Sequence, residues 1–508
     1  MSLKRNILAN YASQIYVTLI SIIMVPVYVK YMGAEAYGLV GFFAMLQAWF
    51  QLLDMGLTPT MARETARFQG GRTDATGLRR LLRMLEGVFV FVALVGAVLL
   101  AGGAHVIAAD WLTVEYLPLA EVDRAIQLIA LIVALRLVCG LYRGAINGFE
   151  RLVWLGGFNA AIATARFVLV IPLFIFVGAS PTHFFVFQLL VAVVELAVLI
   201  TKTYSLLPLV AVAGEAKKKW DWLHLRGVLK FSLSIAFTSS VWVLVTQTDK
   251  LVLSKLLSLT DYAYFTLAVL VAGAVMIVGG PISGALTPRL ARLVAERNED
   301  SLIDTYRSAT RMVAAIAIPV SLVLAFFSHN VLISWTGDSA ISEKAAPVLT
   351  LYALGNGVLA LAAFPYYLQF AKGDLKLHVI GNLFFLVFLI PAVVWAASRF
   401  GAVGAGYAWL AANIIYFIAW TPMVHRRFAP GLHVRWLVVD IGGAALTAFI
   451  VTIVIDWFIT WPSGRVLLAV YLSVAGAILC GVTFLYALGF QRIEAGKKMR
   501  NAAVGTRA

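Results

Sequence analysis

The chain has 508 residues, of which 62% are hydrophobic and 13% are charged, and its mean hydropathy is +0.91. Soluble globular proteins contain about half apolar and about a quarter charged residues, so this composition excludes a large soluble enzyme and predicts a membrane protein. The formal net charge of +15 does not require a nucleic-acid partner, and none is expected, because basic residues of membrane proteins collect on the cytoplasmic side.

Fourteen apolar segments are long enough to cross a bilayer, since a transmembrane helix needs about 20 mostly apolar residues. The strict alternation of a membrane β-barrel is absent from the sequence. The predicted fold is therefore an all-α polytopic membrane protein of about 14 transmembrane helices. In chain order, the predicted spans are 7–29, 37–58, 84–107, 124–146, 154–178, 183–207, 228–249, 262–285, 309–328, 345–370, 376–397, 402–423, 437–459 and 464–487.

The distribution of lysine and arginine predicts the orientation of these spans. If the N-terminus is cytoplasmic, 31 of the 40 basic residues fall on inner segments and seven on outer loops, while Arg136 and Arg166 lie within spans. Such an excess marks the cytoplasmic side. We therefore expect both termini in the cytoplasm of a bacterial cell, with the chain in its inner membrane.

An internal repeat predicts two related halves. LTPTMARETA at 57–66 and LTPRLARLVA at 286–295 agree at six of ten positions, each at the inner end of the second helix of a half. The copies are six helices apart and so have the same orientation, which predicts two six-helix bundles related by a pseudo-two-fold axis along the membrane normal. Two additional C-terminal helices follow them.

The predicted domain boundaries follow from that repeat. They are an N-terminal lobe at 1–207, a cytoplasmic linker at 208–227, a C-terminal lobe at 228–423, two further helices at 437–487 and a cytoplasmic tail at 488–508. Parallel six-helix halves predict alternating access around a central path between them.

Arginines inside predicted spans mark the candidate binding site. A charge at the bilayer centre costs at least about 2.5–3.5 kcal/mol on insertion scales, so it faces the protein interior or water. Arg136 and Arg143 are seven residues apart in the fourth span, and Asn159 and Arg166 are seven apart in the fifth. We expect an inner rung of Arg143 and Asn159 and a central rung of Arg136 and Arg166, which suits a pyrophosphate.

A structural role remains the alternative for these arginines. Glu195 in the sixth span is the expected partner of Arg166 if the charges only neutralise each other. A polar stripe in the first span, which includes Asn10 and Gln14, predicts either a hydrated groove or contacts between helices.

Three acids are candidates for ion coupling, namely Glu195, Asp54 and Asp249. Burial raises the pKa of a carboxyl group toward the working range, so any of them could carry a proton. For Asp249 the alternative is a local ion pair with Lys250. We expect no metal and no cofactor other than a coupling proton, and no catalytic residues, because the sequence has no nucleophile elbow, phosphate-binding loop or zinc-ligand spacing.

Several segments resemble bacterial Wzx-type polysaccharide transporters of the multidrug/oligosaccharidyl-lipid/polysaccharide exporter superfamily. They are NILANYASQIYVTLISIIMVPVYVKYMGAEAYGLVGFF (6–43), LLDMGLTPTMAR (52–63), YRGAINGFER (142–151), TDKLVLSKLLSLTDYAYFTLA (248–268) and PYYLQFAKGDLKLHVIGN (365–382). The resemblance implies an alternating-access transporter with a cationic cavity. It places Arg136, Arg143 and Arg166 in that cavity, with His378 and Asn382 contributed by the second lobe.

The resemblance further implies a flippase for an undecaprenyl-pyrophosphate-linked glycan used in O-antigen, capsule or exopolysaccharide synthesis. Its partners would be the lipid bilayer and other polysaccharide assembly proteins, and the chain is expected to act as a monomer. Two alternatives are a multidrug/cation antiporter of the same fold, which the arginines disfavour, and a membrane glycan polymerase or ligase, which would need a large outer loop.

Overall fold

The computed structural model describes residues 3–71, 74–208, 222–277 and 279–505, and these ranges are helical throughout with short connections. Strand-like pairing in the described ranges is limited to one isolated bridge between Thr113 and Ser258. Twelve of the described helices are long and apolar enough to cross a membrane. The all-α fold is confirmed, whereas the count of fourteen spans stays a prediction.

Two compact units divide the chain at 263/264. This division falls inside a helix, and most of the predicted linker at 208–227 lies outside the described residues, so the predicted lobe boundaries stay a prediction. The helices of the first unit are α1 (Leu3–Met32), α2 (Ala34–Phe50), α3 (Leu57–Gln69), α4 (Ala75–Gly102), α5 (Ala104–Val106), α6 (Leu119–Gly148), α7 (Leu152–Phe167), α8 (Val170–Phe176), α9 (Pro181–Leu206), α10 (Trp222–Leu256) and the start of α11 (Leu259–Ala272).

The second unit contains the remainder of α11 and the rest of the chain. Its further helices are α12 (Ala274–Ile277), α13 (Gly279–Ala295), α14 (Glu299–Phe326), α15 (Ser328–Thr336), α16 (Ser339–Ala362), α17 (Phe364–Ala371), α18 (Lys376–Phe428), α19 (Leu432–Arg435), α20 (Gly443–Phe458) and α21 (Arg465–Gly505). A π-helical segment, Trp436–Gly442, joins α19 to α20.

The helix α18 has 53 residues and bends at Gly401, whose φ of 59° and ψ of −141° are not helical. At about 1.5 Å per residue, 53 residues exceed twice the length that an apolar core of about 30 Å requires. Glycine tolerates positive φ because it has no Cβ. The bend falls between the two predicted spans 376–397 and 402–423.

Asp54 accepts hydrogen bonds from the first turn of α3, and its role in ion coupling stays a prediction. Met55 and Gly56 have φ values of 49° and 71°, so the chain breaks after the short 3-10 segment Gln51–Asp54 before α3 begins. The Asp54 Oδ1 atom accepts hydrogen bonds from the Thr58 backbone N–H at 3.1 Å and the Thr58 hydroxyl at 2.6 Å. A carboxylate at this place satisfies an otherwise unpaired N–H of the first turn.

A buried ion cluster joins α14 to the π-helical segment in the second unit. Arg307 donates from Nε to Asp440 Oδ2 at 2.7 Å and from Nη2 to Oδ1 at 2.9 Å, while Arg311 donates from Nη1 to Oδ1 at 2.7 Å. The side chain of Asp440 is fully buried. Two arginines one helical turn apart on α14 enclose this carboxylate.

Candidate functional site

Three helices of the first unit carry polar residues seven positions apart, and these residues face one another. They are Arg136 and Arg143 on α6, Asn159 and Arg166 on α7, and Gln188 and Glu195 on α9. Seven residues are about two helical turns, or about 10 Å, so each helix contributes one residue to each of two levels.

The inner level is built around Arg143. Its Nη2 lies 2.6 Å from Oε1 of the buried Glu195, and its Nη1 donates to Oδ1 of Asn159. The Arg143–Asn159 contact agrees with the predicted inner rung. The expected pairing of Glu195 with Arg166 is wrong, because Glu195 lies level with Arg143, about two turns closer to the C-terminal end of α9 than Gln188.

The central level contains Arg136 and Arg166, bridged by a glutamine. The Oε1 atom of Gln188 accepts from Nη2 of Arg136 and Nε of Arg166, each at 3.4 Å. Its Nε2 donates to the Arg166 carbonyl at 2.9 Å. Gln47 on α2 adds a 2.6 Å hydrogen bond from Nη1 of Arg136. The two arginines are thus held by neutral amides.

Aromatic rings complete the surroundings of this level. The guanidinium carbon of Arg136 lies 5.1 Å from the ring centroid of Phe43, and that of Arg166 lies 5.2 Å from the ring centroid of Phe167. A guanidinium over an aromatic face gains about 0.5–2 kcal/mol. These contacts orient the cations without neutralising them.

A cavity of about 450 Å³ opens beside both levels. The volume lies within the range of small-ligand sites. The cavity wall includes two of the three arginines, Arg143 and Arg166, but not Arg136. The lining residues are Ser13, Gln14, Val17, Thr18, Arg143, Asn159, Ile162, Ala163 and Arg166.

The wall formed by α1 is fixed to α7 by hydrogen bonds. Ser13 donates from Oγ to the Gly156 carbonyl at 2.8 Å, and the Tyr16 hydroxyl lies 2.7 Å from Oγ1 of Thr164. Polar contacts of this kind hold helices together where lipid supplies no hydrophobic drive. Gln14 of the predicted polar stripe lines the cavity, whereas these contacts between helices are made by Ser13 and Tyr16, which lie outside that stripe.

The formal charge of the two levels is +2, since three arginines face one carboxylate, Glu195, among the six residues. Uncompensated cations inside a membrane are costly. An anionic ligand in the cavity would offset this cost, whereas a cationic one would increase it.

Comparisons with known proteins identify the family. A family described as "Polysaccharide biosynthesis protein" matches residues 3–294, and one described as "Lipid II flippase MurJ" matches residues 160–479. The chain belongs to the polysaccharide biosynthesis protein family. It is a Wzx-like member of the superfamily that the sequence resembles, and that resemblance is confirmed.

Individual relatives agree with this assignment. A Shigella flexneri protein named "Putative O-antigen transporter" is 19% identical over 409 residues, which are 80% of this chain and 94% of that protein. A structure of lipid II flippase MurJ in an inward closed conformation has a TM-score of 0.72 at 13% identity, covering 97% of this chain and 100% of that one.

A third relative is an inward-facing multidrug resistance MATE family transporter, with a TM-score of 0.68 at 15% identity over 81% of this chain and 94% of that one. Likeness to solved structures at such identities shows the fold alone. The families and the fold are those of multi-pass membrane transporters and flippases.

Among the described side chains, the other predicted site residues of this Wzx-like protein are not part of the cavity lining. In the second unit, His378 Nε2 and Asn382 Nδ2 are 3.0 Å apart, and the ring centroid of His378 lies 4.5 Å from that of Tyr366. Asp249 lies 3.7 Å from the Lys250 ammonium, which agrees with the local ion pair. The side chain of Asn10 lies outside the described side chains.

Sequence reasoning missed Gln47 and Gln188. A signal for Gln188 was present, because Gln188 and Glu195 repeat the seven-residue spacing of Arg136 and Arg143. For Gln47 the only signal was an amide inside an apolar span.

Proposed function

We propose that this Wzx-like protein moves a polyprenyl-pyrophosphate-linked oligosaccharide from the cytoplasmic to the outer leaflet for synthesis of a surface polysaccharide. The observation that carries the proposal is the cavity between α1 and α7, where Arg143 and Arg166 face the open volume with one neighbouring carboxylate. Guanidinium groups match phosphate geometry and stay protonated. The polyprenyl tail can remain in lipid while the charged headgroup crosses.

The arrangement of the membrane protein belongs to the same proposal. We propose a bacterial inner-membrane location with both termini cytoplasmic, based on the excess of lysine and arginine on the predicted inner segments. Alternating access between lobes at 1–207 and 228–423 follows from the internal repeat. A monomer and other polysaccharide assembly proteins as partners remain part of the proposal.

Coupling to a proton is proposed at Glu195. Substrate phosphate and the Glu195 carboxylate would compete for Arg143, whose Nη2 donates to Glu195 at 2.6 Å. Release of that ion pair would leave the buried Glu195 carboxylate without its cationic partner. Glu195→Gln should therefore remove the dependence of flipping on a pH gradient in vesicles, and flipping by this variant that still tracks the gradient would reject the role.

The experiment that tests the proposed function compares two substrates in proteoliposomes. Purified protein is reconstituted with a fluorescent polyprenyl-pyrophosphate glycan, and in parallel with a cationic dye, and headgroup crossing or dye uptake is followed. We expect glycan crossing and no dye uptake. Dye uptake without glycan crossing would support the alternative, an antiporter of the MATE type.

Gln188→Glu should weaken transport of the pyrophosphate substrate about tenfold or more. The new carboxylate would stand within hydrogen-bond reach of both Arg136 and Arg166 and compete with phosphate for Arg166, since a charge-assisted hydrogen bond contributes about 1.5–3 kcal/mol. The variant should fold at least as well as the wild type because it neutralises buried cations.

Gln47→Glu is the matched control for that variant. It places the same carboxylate 2.6 Å from Arg136, which does not line the cavity. Its effect on substrate affinity should be smaller than that of Gln188→Glu. Equal effects of the two variants would show that net charge, rather than Arg166, decides recognition.

A further inference from the structure

A second pocket, of about 320 Å³, lies where the start of α7 meets the end of α9. It shares no lining residue with the arginine cavity. Its lining is Trp154, Ala197, Val198, Thr201, Lys202 and Ser205. Five of these six residues lie on one face of α9, because positions 197, 201 and 205 are four apart and the neighbouring positions 198 and 202 are four apart.

A cation and an indole form the polar edge of this pocket. The Lys202 ammonium lies 5.3 Å from the ring centroid of Trp154, and Trp154 stacks on Phe158 with centroids 5.1 Å apart and planes 9° from parallel. The described residues place no carboxylate within ion-pair distance of Lys202. Within the described residues, its charge is therefore available to an anionic ligand.

The two hydroxyl groups of the pocket are arranged as acceptors. Thr201 donates its proton to the Ala197 carbonyl and Ser205 donates to the Lys202 carbonyl, each at 2.8 Å. Their oxygen lone pairs then remain for a donor on the ligand. Ala197 and Val198 supply an exposed apolar surface beside them.

These features specify one kind of ligand. It needs a phosphate for Lys202, a hydroxyl donor for Thr201 and Ser205, and a hydrocarbon chain for Ala197 and Val198. Tryptophan favours the level of lipid headgroups. An ammonium headgroup would meet the Lys202 cation, which disfavours a zwitterionic lipid.

We propose that this pocket binds an anionic phospholipid with a hydroxylated headgroup, of the phosphatidylglycerol type. The phosphodiester would contact the Lys202 ammonium against Trp154, and the glycerol hydroxyls would donate to Thr201 and Ser205. The site is independent of the flippase proposal. The occupant is a membrane lipid that remains in its leaflet.

The test is native mass spectrometry of the full-length protein in detergent, titrated with phosphatidylglycerol, phosphatidylethanolamine or phosphatidylcholine. We expect phosphatidylglycerol to bind the wild type in preference to the other two lipids. Lys202→Gln should weaken the phosphatidylglycerol interaction about tenfold, while Lys202→Arg should retain it. Trp154→Leu should weaken it as well.

Lys376→Gln is the matched control, because it removes an exposed lysine at the start of α18. It should leave phosphatidylglycerol affinity within twofold of the wild type. Unchanged affinity in Lys202→Gln, or equal weakening in Lys376→Gln, would overturn the proposal. If Lys202→Gln purifies poorly, the test uses Lys202→Arg instead. Weak phosphatidylglycerol binding by folded Lys202→Arg protein would also overturn the proposal.

Discussion

Replacing Arg166 with alanine should slow flipping of a pyrophosphate-linked glycan about ten- to a hundredfold while leaving the protein folded and inserted. Arg166 lines the cavity and is held by Gln188, whose Oε1 lies 3.4 Å from its Nε. Loss of a charge-assisted phosphate contact of about 1.5–3 kcal/mol gives this range, because each 1.4 kcal/mol is a factor of ten. Flipping is measured in proteoliposomes at equal protein content.

Two further variants serve as controls for Arg166→Ala. Arg166→Lys should keep part of the activity, because it preserves the charge but loses the planar fork. Arg151→Ala removes an exposed arginine just before α7, outside the cavity, and should be active. Normal flipping by Arg166→Ala would show that the central arginine takes no part in recognition.

Arg136→Ala is also predicted to slow flipping, by no more than Arg166→Ala does, and for an indirect reason. Arg136 lies outside the cavity wall and contacts Gln47 and the shared amide of Gln188. Its loss would release Gln188 and so misplace Arg166. The effect of Arg136→Ala should therefore not add to that of Arg166→Ala in the double variant, as expected for residues that share a partner.

Asp440→Asn should be among the most destabilising single substitutions, costing about 3–5 kcal/mol. The Asp440 carboxylate accepts three hydrogen bonds from Arg307 and Arg311, and all three side chains are buried. Asparagine removes the negative charge and points an N–H donor at two cations. The expected result is a large fall in the melting temperature of the detergent-solubilised protein.

Asp456→Asn provides the comparison for this substitution. Asp456 is exposed near the end of α20, in the same predicted span as Asp440. Its replacement should change the melting temperature little, since exposed charges contribute about 0–1 kcal/mol. A melting temperature of Asp440→Asn equal to that of Asp456→Asn would mean that the buried cluster does not hold α14 to the π-helical segment.

Much of the helical architecture was predictable because lipid imposes it. Backbone polar groups in a bilayer must be satisfied within the segment, so a long apolar run becomes a helix. The positions at which helices break were less predictable from the sequence. The second predicted span, 37–58, ignores the turn at Met55 and Gly56, since an apolar run does not report a local change to positive φ.

The candidate site was predictable within helices and less so between them. Spacing of seven placed Arg143 level with Asn159, and the structure shows their contact. The partner of Glu195 was assigned wrongly, because the depth of α9 relative to α6 and α7 depends on loop lengths and packing. Periodicity fixes the face of one helix but not its register against another.

Buried polar contacts between distant segments were not predictable from the sequence. Arg307 and Asp440 are 133 residues apart along the chain. Only the packing of α14 against the π-helical segment brings them together. The same holds for Gln47, which is 89 residues from Arg136.

The most direct test of the central claim is the flipping rate of a polyprenyl-pyrophosphate glycan relative to the same glycan on a polyprenyl monophosphate. It is measured in proteoliposomes with the wild type and with the double variant Arg143→Ala/Arg166→Ala. If the two cavity arginines recognise pyrophosphate, the wild type should prefer the pyrophosphate substrate at least tenfold and the double variant should lose that preference. An unchanged preference and rate in the double variant would contradict the account.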